Sequence, residues 1–476
     1  MENNPLKFGT DGWRGIIADD FTFDNVRVCA QAVADHLKES GLASRGLIIG
    51  YDTRFASEDF ARAAAEVICG NGIKVYFCTK TTPTPVVSFG VLFKKAGGAV
   101  VITASHNPAQ WNGFKYKSED GASAPTKVIV EIEKHIASII TNGAIKRLSP
   151  VEAEKRGLID HIDLAPAYQK QIRKLINLDE LGRGNLKIIV DSMHGAGAGY
   201  FKMLLSESGH KIIEINDNRN PTFPNMKQPE PIAGNLRKLS DRIIECGADI
   251  GIATDGDADR LGIIDERGNF LTPLQVFALL ALYLLEVRHH RGAIIKTITT
   301  TAMLDRLGEI FNVPIFETSV GFKYVAPLMI KENALIGGEE SGGYGFRGHI
   351  PERDAILAGL YFLEFVKNTG KTPSQLLNYL YNKVGSHYYN RVDIEFAEEQ
   401  RSAITDRISN ISLETLDGTK VIRIDTFDGF RFILADTSWL LFRFSGTEPL
   451  LRIYAESNSP TRVEHLLKIG RDLVGV

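Results

Sequence analysis

The chain has 476 residues, 44% hydrophobic and 24% charged, with no low-complexity tract, enough for three or four domains of about 100 to 200 residues each. A formal net charge of -3 excludes a global pull toward nucleic acid or an anionic membrane, so any anion has to be bound by a local cluster. Four cysteines without C-x-x-C spacing exclude a disulfide framework, the longest apolar run (Val276 to Leu285) is too short for a bilayer, and the first residues carry no signal pattern, so a cytoplasmic protein is expected.

Through the first three quarters, apolar β-branched runs alternate with segments of helical period. The runs begin at Gly46 (GLIIGYDTR), Leu186 (LKIIVDSMHGAG), Ala248 (ADIGIATDGDADR) and Gly292 (GAIIKTITTT), each ending in a polar turn. Strands followed by helices at this rhythm predict parallel α/β sheets. The recurrence near positions 48, 188 and 294 hints at three related units. From about Lys383 the strands become shorter and alternating, as in KVIRIDT from Lys420 and LLRIYAES from Leu450, and a helix follows from about Thr461. That texture predicts a small α+β unit. Joints are expected at Gly143 to Asp163, Glu266 to Pro273 and Thr369 to Val384, where Gly, Pro or polar residues rise.

Five stretches carry chemistry. TASHNPAQWNGFK, from Thr103 to Lys115, puts a hydroxyl nucleophile, Ser105, beside His106 and Lys115 in one loop. The preceding AGGAVVI reads as a short buried strand, so Ser105 falls just past a strand's C-terminal end, where open α/β sheets hold their sites. Taken alone, a Ser-His pair before Pro108 reads more readily as a turn. HGAGAG, from His194 to Gly199, suggests a dinucleotide fingerprint only superficially, because Tyr200 stands where its last glycine is needed. A close strand-to-helix turn is expected there.

In TDGDADR, Asp255, Asp257 and Asp259 alternate with small residues, so three carboxylates can converge on one hard cation such as Mg²⁺ while Gly256 and Ala258 let the backbone turn. A calcium loop is disfavoured by Arg260, which stands where such a loop needs glycine, and by flanks that read as strands. GGEESGGYG offers Glu339 and Ser341 for sugar hydroxyls, with Glu340 read as a solvated charge, and HIPERD adds His349, Arg353 and Asp354. RFSGTEPLLR places Arg443, Ser445, Gly446, Thr447 and Arg452 around one turn, an anion cradle of hydroxyls, bare backbone N–H groups and arginine forks.

In this order, GTDGWRG, TASHNP, DGDADR, GEESGG and RFSGTEP resemble the α-D-phosphohexomutase family over essentially the whole chain. The resemblance implies three related mixed α/β domains plus a smaller C-terminal α+β domain around a central cleft, over 1–155, 156–268, 269–376 and 377–476. It implies that Ser105 is the phosphorylated serine and that Ser105, Asp255, Asp257 and Asp259 hold Mg²⁺. Arg14 and Lys115 match the catalytic arginine and lysine, and Arg260 faces the phosphoserine. Glu339 and Ser341 contact sugar hydroxyls, Lys296 and Lys323 face the substrate, and Arg443 to Thr447 hold the phosphate that is not reacting.

Reaction would run through a bound glucose 1,6-bisphosphate, with the fourth domain closing over the cleft. Lys115 is the candidate for proton exchange, although a free lysine titrates near about 10.4; His106 is the rival, since imidazole titrates near neutrality. Gly343 stands where the dual glucose/mannose branch and the glucosamine branch carry a histidine, which points to a phosphoglucomutase. HIPERD is similar to the H-I-x-x-K-D-G segment of glucose-type enzymes, with Arg353 for the lysine and Ala355 for the glycine. The alternatives are a phosphomannomutase or dual-specificity enzyme, a glucose 1,6-bisphosphate synthase, a Mg²⁺-dependent sugar phosphatase, and a non-catalytic sugar-phosphate-binding protein. Partners are expected to be hexose phosphates alone, with no nucleic acid and no membrane, and the chain a monomer or weak dimer.

Overall fold

Runs buried on both faces make the central strands of the fold, because a strand covered by helices on each side has no polar face to present. Leu47–Tyr51 and Ile250–Thr254 are buried at every residue, as is Ile294–Thr297. The computed structural model describes residues 6–9, 11–411, 413–445 and 449–475.

Four sheets follow one another along the chain. The first runs in the order Trp13–Ile16, Trp111–Lys117, Ala99–Ile102, Leu47–Tyr51, Val75–Cys78, Ile159–Ile162. The second runs Phe270–Leu271, Leu261–Ile264, Ile250–Thr254, Lys187–Asp191, Lys211–Ile215, and the third Tyr344–Phe346, Ile336–Gly338, Ile294–Thr297, Ile315–Thr318. All three repeat one unit. A central strand (Leu47–Tyr51, Lys187–Asp191 or Ile294–Thr297) pairs in parallel on both sides, and one of those neighbours continues through a loop into an antiparallel strand. The recurrence read near 48, 188 and 294 is therefore a repeated topology. The three connecting loops are those of Ser105, of the three aspartates and of Glu339, so the repeated supersecondary unit puts a chemistry-bearing loop at the same place in each sheet.

The fourth sheet is antiparallel throughout: Tyr388–Glu395, Leu450–Ser457, Trp439–Phe444, Phe430–Leu434, Thr419–Asp425, Thr415–Leu416. Helices Arg401–Ser409 and Pro460–Val474 bury their apolar faces in its core.

Two expected boundaries shift. Ile159–Ile162 pairs with Val75–Cys78, so the first sheet is completed beyond residue 155. The expected boundary between 376 and 377 falls inside helix Pro373–Val384, which Thr372 and Gln375 start with a capping box. The ten-residue apolar run becomes helix Pro273–Leu282 and the π turn after it, packed with helix Ala355–Thr369 in the central core. A helix apolar all round is here a buried core helix. Among the described residues, no helix is long and apolar enough to cross a membrane.

Candidate active site

The serine loop leaves strand Ala99–Ile102 and holds Ser105 in the left-handed region (φ 51), an uncommon state for a residue with a Cβ. Its N–H donates to Thr103 Oγ1 at 2.8 Å, and its Oγ donates to Asp255 Oδ2 at 2.7 Å. His106 Nδ1 lies 3.3 Å from Ser105 Oγ. What pins the loop is Arg54, fully buried, whose guanidinium donates to the carbonyls of Ser105 (2.7 Å), Asn107 (2.6 Å), Pro108 (2.9 Å) and Trp111 (3.0 Å) and pairs with Asp52 (3.2 Å). Sequence reading missed this residue; its only trace was the DTR that ends the strand from Gly46. Arg14 reaches the loop by donating to Asn107 Oδ1.

The acidic loop joins strands Ile250–Thr254 and Leu261–Ile264. Of its two small residues, Ala258 makes the turn, at φ 59. Gly256 is needed for another reason: a Cβ there would lie 2.4 Å from the Ser105 carbonyl oxygen. HGAGAG is the expected close turn and also backs this loop, since Ala196 N donates to the Gly256 carbonyl and a Cβ on Gly195 would lie 2.8 Å from the Asp255 and Gly256 carbonyl oxygens.

Asp255, Asp257 and Asp259 are buried, with one ligand oxygen from each within 4.8 Å of the others. Asp257 Oδ2 is taken by Lys115 Nζ (2.9 Å) and Thr84 Oγ1 (2.5 Å), and Asp259 Oδ2 by Arg353 (3.0 Å). The Oδ1 atoms of Asp257 and Asp259 are buried without a hydrogen-bond partner. Buried carboxylate oxygens do not stay unpaired cheaply, so this all-oxygen donor set fits a hard divalent cation. Burial and the charges of Asp259 and Asp257 push the Asp255 carboxyl well above its ordinary range, a strain that a cation relieves.

Lys115 is buried between Asp11 (2.7 Å), Asp257 (2.9 Å) and Asp259 (3.5 Å). Burial disfavours its charge, but the three carboxylates outweigh burial and raise its pKa. His106 moves the other way: burial, then the positive charges of Arg260, Arg14, Lys115 and Arg54, hold its imidazole well below the usual range. The arrangement thus keeps the lysine charged and the histidine neutral beside Ser105. Arg260 pairs with Glu230 at 2.7 Å and lies close enough to Arg14 for the two charges to repel.

Arg353 ties the loops together. Its guanidinium meets Asp11 (2.8 Å), Asp259 (3.0 Å), Glu352 (3.1 Å) and Glu339 (3.4 Å). Lys117 continues this network to Asp11 (3.1 Å) and Glu352 (2.6 Å). Asp11 lies in GTDGWRG and Glu352 in HIPERD, but nothing local distinguished either; Thr84 and Lys117 gave no signal. Burial raises Glu339, and Arg353 and Arg260 counter it. Ser341 sits half-buried in the same turn, and Lys323 is half-buried with its Nζ over the Tyr324 ring.

The remaining expected residues lie in other surroundings. Lys296 is buried with Asp305 and Glu317 (3.6 Å), and Glu317 also pairs with Arg431 of the fourth sheet. His349 Nε2 meets Asp354 Oδ2 at 2.8 Å, and its ring packs against Phe89 and Tyr168, at the start of helix Ala355–Thr369 that Asp354 caps. Arg443 pairs with Asp428 (3.1 Å), which also accepts from Val320 N, and Arg452 lies opposite Arg443 on the next strand. Ser445 is buried beside them, with its N–H on the Leu450 carbonyl; Gly446 and Thr447 lie outside the described residues.

Glu340 is not the solvated charge expected: it pairs with Arg391 of the fourth sheet at 3.0 Å, because the sugar loop and the first strand of that sheet face each other. Both side chains remain partly exposed, and such pairs contribute about 0 to 1 kcal/mol. Glu340→Gln should therefore lower the melting temperature by no more than about 3 °C in a thermal scan. A drop several times larger would mean that the pair dominates the contact between the two units.

Three repeated α/β units and an antiparallel fourth, with a buried serine, an acidic triad and a basic cluster at one junction, fit the phosphohexomutases, isomerases that move a phosphate within a sugar. The chain belongs to the phosphoglucomutase/phosphomannomutase family: the models of its α/β/α domains I, II and III match residues 5–142, 166–268 and 272–384, and that of its C-terminal domain matches 398–469. A phosphoglucomutase/phosphomannomutase of Thermococcus kodakarensis is 30% identical, covering 98% of each chain. A probable phosphoglucosamine mutase of Methanothermobacter thermautotrophicus is 32% identical, over 98% of this chain and 97% of its own. The crystal structure of a candidate phosphomannomutase from Thermus thermophilus superposes with a TM-score of 0.86 at 35% identity, covering 99% of both chains. The family is Mg²⁺-dependent, in keeping with the buried acidic triad.

Proposed function

We propose that the chain is a phosphoglucomutase that interconverts α-D-glucose 1-phosphate and glucose 6-phosphate through a phosphoserine at Ser105 and a bound glucose 1,6-bisphosphate. The observation that carries this reading is the 2.7 Å bond from Ser105 Oγ to Asp255 in a buried cluster of both charges, with Ser105 held at a strained φ. Ser105 gives its phosphate to the free sugar hydroxyl: the bond from phosphorus to Oγ breaks as the bond to the sugar oxygen forms, and the hydroxyl proton passes to the neutral His106 ring, since Lys115, held charged among three carboxylates, has no lone pair to accept it. The bisphosphate turns over, and its other phosphate returns to Ser105.

Phosphoryl transfer asks for alignment and charge neutralisation above all. Asp255, Asp257 and Asp259, together with the serine phosphate, would hold Mg²⁺, which would supply part of that neutralisation. Arg14 and Arg260 flank the serine loop and can stabilise the equatorial oxygens, while Lys115 places a further positive charge. Glu339 and Ser341 orient the sugar, and Arg443 with Ser445 and Arg452 takes the phosphate that is not reacting.

A phosphoglucosamine mutase is the second reading, favoured by the name of the Methanothermobacter relative. Parallel kinetics on glucose, mannose and glucosamine 1-phosphates, with and without glucose 1,6-bisphosphate, separate the two. We expect kcat/KM for glucose 1-phosphate at least about tenfold above the others, with activity raised by the bisphosphate. Preference for glucosamine 1-phosphate would establish the second reading. Release of free phosphate without glucose 6-phosphate would establish a phosphatase.

A further inference from the structure

Gly343, where other branches of the family carry a histidine, and Arg353, which stands for the lysine of the glucose-type segment, meet in space. A Cβ on Gly343 would lie 2.3 Å from Cδ and 2.7 Å from Cγ of Arg353. The glycine is not there for its backbone, since its φ is outside the left-handed region that Gly342 beside it adopts (φ 90). Nor can the arginine move aside easily. Its fork is held by Asp11, Asp259, Glu352 and Glu339, its N–H donates to Glu352 Oε1 at 2.9 Å, and its guanidinium lies over the Phe322 ring at 5.5 Å.

We propose that Gly343 is a positioning residue: its bare backbone admits the Arg353 stem across the sugar loop, and Arg353 in turn sets the place of the Glu339 carboxylate that orients the hexose. The inference rests on the mutase reading of the cleft and adds to it a coupling between two residues. Any side chain at 343 has to displace the stem, and a displaced stem releases the fork from Glu339 and Asp259 together. A histidine at 343 and an arginine following this path at 353 exclude each other, so a side chain at 343 requires a change at 353.

A double-mutant cycle tests this with Gly343→Ala, Arg353→Ala and the two combined. Gly343→Ala alone should raise KM for glucose 1-phosphate about tenfold, with a smaller fall in kcat. In the Arg353→Ala background, where the stem is gone, the same change should leave KM within about twofold. An equal rise in both backgrounds, or an unchanged KM in Gly343→Ala, would overturn the coupling. Should Arg353→Ala fail to fold, Arg353→Lys carries the comparison, because an ammonium has no fork to hold its stem on that path; the Gly343→Ala rise should then shrink to about threefold or less.

If the unsubstituted chain forms no hexose 6-phosphate from any of the three 1-phosphates, the mutase reading fails by itself. Melting temperatures of the same four proteins still read the coupling. The loss caused by Gly343→Ala should vanish once Arg353 is alanine, and a loss that persists there would overturn it.

Discussion

Ser105→Ala is expected to lower kcat on glucose 1-phosphate by at least about 10⁴-fold while the protein stays folded, because removal of a covalent nucleophile removes the two-step route itself. The Oγ donates to Asp255 and lies 3.3 Å from His106. Arg54 holds the loop through backbone carbonyls, which the substitution does not touch. The loss should therefore be chemical, with a small change in melting temperature. Incubation with bisphosphate labelled in its phosphates should leave label on the unsubstituted chain and none on the variant. Retention of a tenth of the activity would be incompatible with a phosphoserine at this position.

Gly256→Ala should cost about 100-fold in kcat/KM, since a misplacement of about 1 Å at reacting groups costs that much. The added Cβ would lie 2.4 Å from the Ser105 carbonyl oxygen and 3.3 Å from Pro229 Cγ. That oxygen cannot drift freely, because it accepts from Arg54 at 2.7 Å. The serine and acidic loops must therefore separate, pulling Oγ away from Asp255. Overpacking of this kind also destabilises, by about 1 to 3 kcal/mol, which denaturant unfolding would measure. Activity within twofold of the unsubstituted chain would show that the loops do not need this close approach.

Groups whose chemistry is carried by near neighbours were readable from the residues. Asp255, Asp257 and Asp259 form a converging set wherever the chain turns between two strands, and the strands themselves are apolar runs with plain ends. The pairing of distant residues gave no such signal, even where one partner, such as Lys115 or Arg353, stood out by itself. Arg54 works on carbonyls 51 to 57 residues away, and the Lys115 to Asp257, Lys117 to Glu352 and Arg353 to Asp11 contacts span 142, 235 and 342 residues. A buried arginine on backbone oxygens leaves no pattern in its own segment.

Lys296 and Glu340 show the same limit from the other side. Lys296 was assigned from the resemblance and Glu340 from its own loop, yet the partners of Lys296 come from elsewhere in its unit, and that of Glu340 comes from the fourth sheet. Gly256 and Gly343 were visible as glycines, but the reason for each lies across the site: one clears the Ser105 carbonyl and the other the Arg353 stem.

By itself, then, the sequence determined the alternation that makes three α/β units, the change of texture at the fourth, and the five loops whose order carries the family. These follow from local periodicity and from motifs complete within a dozen residues. Tertiary structure alone decided which charges neutralise one another. It made Lys115 a cation locked among carboxylates and His106 a neutral ring beside Ser105, and it turned Arg353 into the tie between the acidic loop and the loop of Glu339. The physical reason is that charge and close contact depend on distance in space, which a chain of this length sets by packing units far apart in sequence.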